Sequence, residues 1–313
     1  MRFEPTAEQA EFAHSLGELM VRADSVTVAR RWAEGDTAPG KALWSRLADQ
    51  GVCALIVAED DGGLGGTDAD LAMAFETLGY HLAVGPWIES AAYLATALTG
   101  PELEAVAAGE MATLSVAELA PYCDAAGVSD HVFCVTDEGL HRGETTGTPL
   151  HSVDTTRLLS SLSPTQPLTS GDLDLAANRA VLAASAHLLG AGERLLSDAV
   201  EYVKQRRQFG REIGSYQAIK HQLADARIAL DFARPLVWGA ALHLDALNAS
   251  AAKLSAQRAA YLTARTALQV HGAIGYTAEY DLGLWFARVR ALSSTWGTDL
   301  WHQQRVLKHV SSQ

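Results

Sequence analysis

The second half of the chain carries apolar residues at intervals of three and four positions, which is the pattern of amphipathic helices. Of the nine prolines, only Pro235 lies after residue 167, and a proline inside a helix costs about 3 kcal/mol. The pattern predicts four long helices joined by short turns, at residues 175–209, 217–247, 250–271 and 283–310. Such a set indicates an antiparallel four-helix bundle, in which Pro235 either kinks the second helix or restarts it.

The first half of the chain changes its pattern at about residue 109. Helical spacing dominates up to that point, and Thr6 stands where a helix cap is expected. From residue 110 to about 170, short alternating runs such as HVFCVTDEGLHR are broken by Gly and Pro, which predicts a small sheet of four or five short strands. We therefore predict an N-terminal helical domain (1–109), a shortened middle β domain (110–170) and a C-terminal helical bundle (171–313).

The composition narrows the possible functions. The 313 residues are 48% hydrophobic and 19% charged, which suffices for a sizeable core. A net charge of -13 and a sequence pI near 5.2 argue against nucleic-acid binding, which needs a basic face to neutralise phosphates. No apolar run approaches the roughly 20 residues that span a bilayer, and the three cysteines lack metal-ligand spacing. With no signal-peptide pattern at the start, we expect a cytoplasmic protein that binds neither membrane nor nucleic acid.

One basic stretch departs from this acidic average. Residues 205–226, QRRQFGREIGSYQAIKHQLADA, contain four Arg and Lys residues. Cations this close indicate an anionic partner, either a phosphorylated ligand or the protein's own carboxylates. Taken alone, Arg206 would most often pair with Glu212 or Asp225 on the surface.

Three stretches together resemble the acyl-CoA dehydrogenase family. RRQFGREIGSYQAIKHQLAD is similar to the family's Arg-x-Gln-Phe-Gly turn, which an Ile and an aromatic-Gln pair follow. QVHGAIGYT (269–277) resembles its Gln-x-x-Gly-Gly-x-Gly-Tyr motif, with Ala273 in place of the second glycine. LADQGVCALIVAEDDGGLGGTDADLAMAFETLGY (47–80) is similar to the family's N-terminal stretch, with Ala58 where a proline is usual. One such motif is weak, whereas three in collinear order are specific.

The resemblance covers about residues 3–109 and 175–310. It implies a mostly α fold with an N-terminal helical domain, a small reduced β domain and a C-terminal four-helix bundle. In that family two protomers build each FAD site: one holds the flavin ring between its β domain and its C-terminal helices, and its neighbour binds the ADP half with the two motifs quoted first. The residues that match those two motifs, and are therefore expected to bind FAD across the subunit interface, are Arg206, Gln208, Phe209, Gln217, Gln269, Gly272 and Gly275.

The resemblance fails where the family places its catalytic base. A carboxylate, usually Glu, removes the substrate's α-proton while a hydride passes to the flavin. In SSTWGTDLWH (293–302) Trp296 occupies that place, and Asp299 is the nearest acid. Where other members carry the base, on the first bundle helix, this chain has His187 and no acid. The middle region also lacks the Gly-Ser and Trp motifs that contact the flavin ring, so no catalytic residue is predicted.

These features predict a subunit of a flavin-dependent acyl-CoA dehydrogenase that has no catalytic base. It resembles the shortened subunit of heteromeric, α2β2 acyl-CoA dehydrogenases of actinobacteria. The expected partners are a full-length homologue that supplies the catalytic Glu, an acyl-CoA that is steroid-derived or otherwise bulky, and an electron-transfer flavoprotein. Three alternatives stay open: a self-sufficient homo-oligomer whose base is His187 or Asp299, a non-redox acyl-CoA-binding protein, and a scaffold subunit without a ligand.

Overall fold

Helices dominate the chain up to Ala107. The structure is a computed structural model that describes residues 4–277 and 280–311. Thr6 and Thr67 begin the first and fourth helices with capping boxes, in which the threonine side chain accepts from the N–H three residues later. The elements are α1 (Ala7–Arg22), α2 (Ser25–Ala33), α3 (Ala38–Asp49), a 3-10 turn (Glu59–Asp61), α4 (Asp68–Tyr80), a π-helix (Ile88–Leu94), α5 (Ala95–Ala97) and α6 (Pro101–Ala107).

A five-stranded sheet follows in the middle of the chain. Its strand order is β1-β3-β4-β5-β2, with β1 parallel to β3 and the other neighbours antiparallel. The strands are β1 (Ala112–Val116), β2 (Cys123–Asp124), β3 (His131–Thr136), β4 (Gly139–Leu150) and β5 (Leu159–Pro167). The small sheet that the alternating runs predict is therefore confirmed, and we call it the middle sheet.

The last part of the chain is again helical, with a short hairpin between its first two helices. Its elements are α7 (Leu173–Gln205), β6 (Arg207–Gln208), β7 (Arg211–Glu212), a 3-10 turn (Ile213–Ser215), α8 (Gln217–Leu242), α9 (Ala246–His271), a 3-10 turn (Gly272–Tyr276), α10 (Leu282–Leu292) and α11 (Asp299–Val310). Together with the N-terminal helices they make a mostly α fold around a small sheet, as predicted. The domain boundaries stay a prediction.

The structure corrects two of the predicted helix boundaries and decides between the two alternatives for Pro235. The predicted helix 283–310 is two helices, because Trp296 (φ 58°) and Gly297 (φ 91°) adopt left-handed backbone between α10 and α11. The first bundle helix ends at Gln205 and does not reach residue 209. Pro235 lies inside α8, which continues through it and does not restart there.

Two glycines set how closely the N-terminal and C-terminal helices pack. A Cβ on Gly79 of α4 would lie 2.1 Å from the carbonyl oxygen of His187 on α7, and a Cβ on Gly190 of α7 would lie 1.9 Å from that of Glu76 on α4. Neither position accepts a side chain, so the two backbones lie almost in contact. This contact holds α7 in the centre of the molecule, where every residue from Ala180 to Gly192 is buried.

Candidate functional site

The predicted cofactor-binding motif forms an exposed hairpin. The backbone leaves α7 at Arg206 and turns back at Phe209 (φ 50°) and Gly210 (φ 84°), which lie between the paired strands β6 and β7. Gly has no Cβ to clash in the left-handed region, and a bulky residue there is uncommon. Phe209 is 93% exposed, so a large apolar ring projects into solvent from a fixed turn.

The basic residues of this hairpin form no salt bridge with an acid among residues 4–277 and 280–311. Arg206 is exposed, and neither Glu212 nor Asp225 pairs with it in that part of the chain. Arg211 stacks its guanidinium over the ring of Tyr216, 3.9 Å from the centroid. The local ion pair considered for Arg206 is therefore not formed, and its guanidinium stays available to an external anion.

The remaining predicted residues lie on α8 and at the end of α9. Gln217 is the first residue of α8 and is exposed. Gln269 is exposed on the last turn of α9, which Gly272 ends with a φ of 63°. Gly275 packs where a Cβ would lie 3.0 Å from Leu268.

These positions come together only in part. Gln269 and Gly275 line one groove of about 790 Å³, whereas Gln208 shares the hairpin with Arg206 and Phe209. Gln222, on the wall of the groove, lies five residues after Gln217 on the same helix. The role of all seven predicted residues in FAD binding stays a prediction.

A second set of polar residues, which the sequence did not reveal, lies buried between the middle sheet and the C-terminal helices. Arg288 of α10 donates from Nε to Asp154 Oδ2 at 2.5 Å, and Arg157 donates from Nε to Asp124 Oδ2 at 3.3 Å. All four side chains are at most 8% exposed. Arg288 also donates to the Thr156 hydroxyl at 2.8 Å. We call these five residues, with Glu89 and His187 beside them, the buried polar cluster.

The buried polar cluster closes the cleft in which it lies. The space that remains between its residues is about 20 Å³, enough for a single water, whereas ligand pockets have volumes of roughly 300–1,000 Å³. The Arg288–Asp154 pair joins the helix side to the sheet side by a charge-assisted hydrogen bond. Arg157, which pairs with Asp124 within the sheet side, reaches the helix side by donating to the Thr295 hydroxyl at 2.8 Å. A flavin ring therefore does not fit in this cleft as it stands.

Glu89 is the third carboxyl group of the cluster. It lies in the π-helix, is 4% exposed, and burial raises its pKa from the ordinary 4.5 to about 7. The two arginines are already balanced by Asp154 and Asp124, so an ionised Glu89 would be a surplus buried anion. The charge balance of the cluster favours the protonated acid.

The position that the resemblance assigns to the family's base carries an apolar side chain, Trp296. Trp296 is fully buried, and its ring stacks on that of Tyr93 with the centroids 5.7 Å apart. The peptide unit that follows its left-handed backbone is held at both polar groups: His302 Nε2 lies 2.9 Å from the Trp296 carbonyl oxygen, and the Gly297 N–H donates to the Leu119 carbonyl oxygen. The Trp296 side chain has no group that could accept a proton from a substrate at this position.

Neither alternative base has a suitable environment. Asp299 faces the protein surface and pairs with Arg258 at 3.0 Å, which holds the pKa of its carboxyl below the usual range. Arg288 Nη1 donates to His187 Nε2 at 3.1 Å, and burial together with this cation holds the pKa of His187 well below 6.5. His187 Nδ1 has no partner among the described residues. The nitrogen that would accept a proton already accepts one hydrogen bond, and charging the ring would place it against a guanidinium.

The described residues contain neither a membrane-spanning helix nor a metal site. No helix among them combines the length and the hydropathy that a membrane span requires. No group of three or more of their His, Cys, Asp and Glu side chains is arranged to hold a metal ion.

Comparison with known proteins gives one consistent result. Residues 6–117 match the acyl-CoA dehydrogenase N-terminal domain, and residues 173–310 match the acyl-CoA dehydrogenase C-terminal domain. The protein is 33% identical to acyl-CoA dehydrogenase IpdE2 of Mycobacterium tuberculosis over 292 residues, which cover 91% of each chain.

Solved structures show the same fold at lower identity. The ChsE4-ChsE5 complex from Mycobacterium tuberculosis contains a chain that superposes with a TM-score of 0.82 at 20% identity, over 100% of both chains. A chain of the Tcur3481-Tcur3483 steroid ACAD superposes with a TM-score of 0.83 at 20% identity, over 97% of this chain and 98% of the other. With both domains matched over most of its length and a relative at 33% identity, the chain belongs to the acyl-CoA dehydrogenase family of oxidoreductases, which confirms the resemblance and the enzyme class that the motifs predict.

Proposed function

We propose that this chain is the subunit of a heteromeric acyl-CoA dehydrogenase that has no catalytic base and lends its partner half of the FAD site. One observation carries the proposal: in this chain the motif predicted to bind the ADP half of FAD is exposed, whereas the cleft expected for the flavin ring is closed. The motif residues Arg206 and Phe209 are exposed, whereas the cleft of the buried polar cluster keeps a space of only about 20 Å³, and the buried Trp296 takes the position that the resemblance assigns to the base.

Members of this family generally bind FAD, and the exposed half has the chemistry to hold the ADP part of it. Arg206 offers a planar guanidinium for bidentate contact with a pyrophosphate. Gln217 and Gln269 offer amide donors and acceptors to ribose and adenine, and Phe209 offers an apolar face. The closed cleft does not fit the flavin ring, so no reaction step is assigned to this chain's own cleft.

The partner, in this proposal, is a full-length homologue that supplies the catalytic Glu and holds the flavin ring. FAD bound between the two chains would accept the hydride in the α,β-desaturation of an acyl-CoA thioester, and the partner's Glu would take the α-proton. Two structural neighbours support a heteromeric arrangement, since both the ChsE4-ChsE5 complex and the Tcur3481-Tcur3483 steroid ACAD carry paired names. By the same analogy the acyl group is bulky or steroid-derived, and the electron acceptor is an electron-transfer flavoprotein.

The visible spectrum tests the proposal. We expect the chain purified alone to be colourless, and its complex with the full-length homologue encoded nearest to it to be yellow, with about one FAD per heterodimer. A lone chain that is yellow and is bleached by an acyl-CoA would refute the proposal and support a self-sufficient enzyme.

Arg206→Ala in the complex then tests the lending role. Loss of a hydrogen-bonded charge contact typically costs about 1.5–3 kcal/mol, so FAD should bind roughly ten- to a hundredfold more weakly. Arg207→Ala is the matched control, because its described contact is a long hydrogen bond to the Gly210 carbonyl oxygen at 3.4 Å. Unchanged FAD affinity in Arg206→Ala would support a scaffold subunit without a ligand.

A further inference from the structure

A cavity of about 750 Å³ lies between α1, α4 and α8. We call it the α1–α4 cavity. Its lining shares no described residue with the buried polar cluster, with the groove of Gln269 and Gly275, or with the exposed hairpin. Ligand pockets have volumes of roughly 300–1,000 Å³ and are lined mainly by apolar and aromatic side chains. The α1–α4 cavity therefore has the size of a separate small-molecule site.

The walls of the α1–α4 cavity are largely apolar. On α1, Val21 is 66% exposed, and on α4, Met73 and Tyr80 are half-buried. Trp238 of α8 adds an indole ring that is otherwise buried. Apolar groups around one concave space favour an apolar ligand, because its binding removes their surface from water. The flexible side chain of Met73 can adapt to the shape of such a ligand.

The charged residues of the α1–α4 cavity neutralise one another. On α1, Glu18 lies 3.5 Å from Arg22 and 3.4 Å from His14. Across the cavity, Glu76 of α4 lies 2.6 Å from Arg234 of α8. Among the described lining residues two acids thus face two arginines, which leaves no surplus charge to attract an ion. Since an ion would also lose hydration against apolar walls, the cavity favours an uncharged ligand.

One polar side chain of the α1–α4 cavity lacks a hydrogen-bond partner. His81, which follows α4, is half-buried, and within residues 4–277 and 280–311 its imidazole forms no hydrogen bond. Burial, together with the charge of Arg194, holds the pKa of His81 below 6.5, so at pH 7 the neutral ring has one donor and one acceptor nitrogen. A Cβ on Gly17 of α1 would lie 3.2 Å from its Nε2, so the ring reaches across to α1. An oxygen atom of a ligand would supply the hydrogen bond that the ring lacks.

We propose that the α1–α4 cavity binds an uncharged, apolar small molecule whose hydroxyl or carbonyl oxygen forms a hydrogen bond with His81. The size and the apolar walls select a small apolar ligand, the balanced charges exclude an ion, and the imidazole selects one oxygen-bearing group. The inference goes beyond the proposed function and does not depend on it, because no residue of the predicted FAD-binding motifs lines this cavity.

Three probes that share one rigid apolar cage test the charge of the ligand. Adamantanol is uncharged, adamantane carboxylate is an anion and amantadine is a cation at neutral pH. Binding of each probe to the full chain is measured by isothermal titration calorimetry. We expect one adamantanol molecule to bind per chain, at least about tenfold more tightly than either ion, because only the ions lose a charged group's hydration without compensation.

Substitutions at His81 test the location of the site. His81→Phe keeps an aromatic ring without its nitrogens and should weaken adamantanol binding about fivefold, the factor that one net hydrogen bond typically contributes. His81→Gln keeps a donor and an acceptor and should recover most of that loss. His221→Phe is the matched control, because His221 is exposed on α8 outside the cavity, and it should bind adamantanol as the unmodified chain does.

Each contrary outcome overturns a stated part of the inference. If adamantanol does not bind, or binds equally well to His81→Phe and to the unmodified chain, the cavity is not the site. If either ion binds as tightly as adamantanol, the ligand class is wrong. A loss in His81→Phe that His81→Gln does not recover would show a packing effect in place of the hydrogen bond. Melting temperatures of the variants without probe, measured in parallel, separate a change in affinity from a change in folding.

Discussion

Glu89 gives the sharpest prediction on the closed cleft. Its carboxyl lies beside two arginines that two aspartates already neutralise, and burial raises its pKa from 4.5 to about 7. Each tenfold change in the acid constant corresponds to about 1.4 kcal/mol. The free energy of unfolding is therefore about 3 kcal/mol higher at low pH, where the folded protein keeps this proton, than at pH values above 7, where Glu89 is ionised.

The sign follows from proton binding in the two states. Between pH 4.5 and about 7 the folded protein keeps the Glu89 proton and the unfolded chain has lost it, so stability falls as the pH rises through this window. Glu89→Gln has the same shape and no proton to lose. Relative to the unmodified protein, the variant should gain about 3 kcal/mol of unfolding free energy between pH 4.5 and 7.5.

The assay is denaturant unfolding of the unmodified protein, Glu89→Gln and Glu144→Gln at four pH values from 4.5 to 8, followed by tryptophan fluorescence. Glu144 is exposed on β4, so its variant should follow the unmodified protein at every pH. Taking the difference between variants cancels the titration of all other groups. A Glu89→Gln difference that stays flat with pH would refute the charge balance argued for the cluster.

Two further substitutions test the base position and the packing of α7. Trp296→Glu places a carboxylate where the resemblance predicts the base, yet the closed cleft should leave the lone chain without flavin and without dehydrogenase activity; a yellow, active variant would contradict this. Gly190→Ala should lower the unfolding free energy by about 3 kcal/mol or more, because the new methyl would lie 1.9 Å from the Glu76 carbonyl oxygen. A Cβ on Gly283 of α10 would have no atom within 4 Å, so Gly283→Ala should leave the free energy of unfolding unchanged or raise it slightly in the same denaturant unfolding.

The sequence was sufficient to predict the features whose residues lie next to one another, or at a regular spacing, along the chain. The hairpin residues from Arg206 to Gly210 are contiguous, so a short motif reveals them together, and the spacing of apolar residues predicts α7 to α9 within a few residues. Helix breaks are also local but less visible: Trp296 takes a left-handed backbone that its residue type disfavours, and the apolar pattern continues through it.

The buried polar cluster could not be predicted in the same way. Arg288 and Asp154 lie 134 positions apart, and Arg157 and Asp124 lie 33 apart. Each looks like an ordinary surface charge until the fold buries it. The one signal in the sequence is Arg288 itself, which stands among apolar residues in LGLWFARVRAL, where an arginine on the buried helix face needs a partner.

Stability alone does not explain why the closed cleft is polar. Apolar side chains of similar volume often stabilise a fold as well as a buried ion pair does, or better. Unlike apolar contacts, hydrogen bonds from a guanidinium have fixed directions. Arg288 donates to Asp154, Thr156 and the carbonyl oxygen of Ala83 at once. These three groups belong to the segment before β5 and to the segment before the π-helix, so one guanidinium fixes both relative to α10. The proposed lending of surface residues to a partner's cofactor would need that rigidity, because binding contacts are lost when their supporting elements shift by about 1 Å.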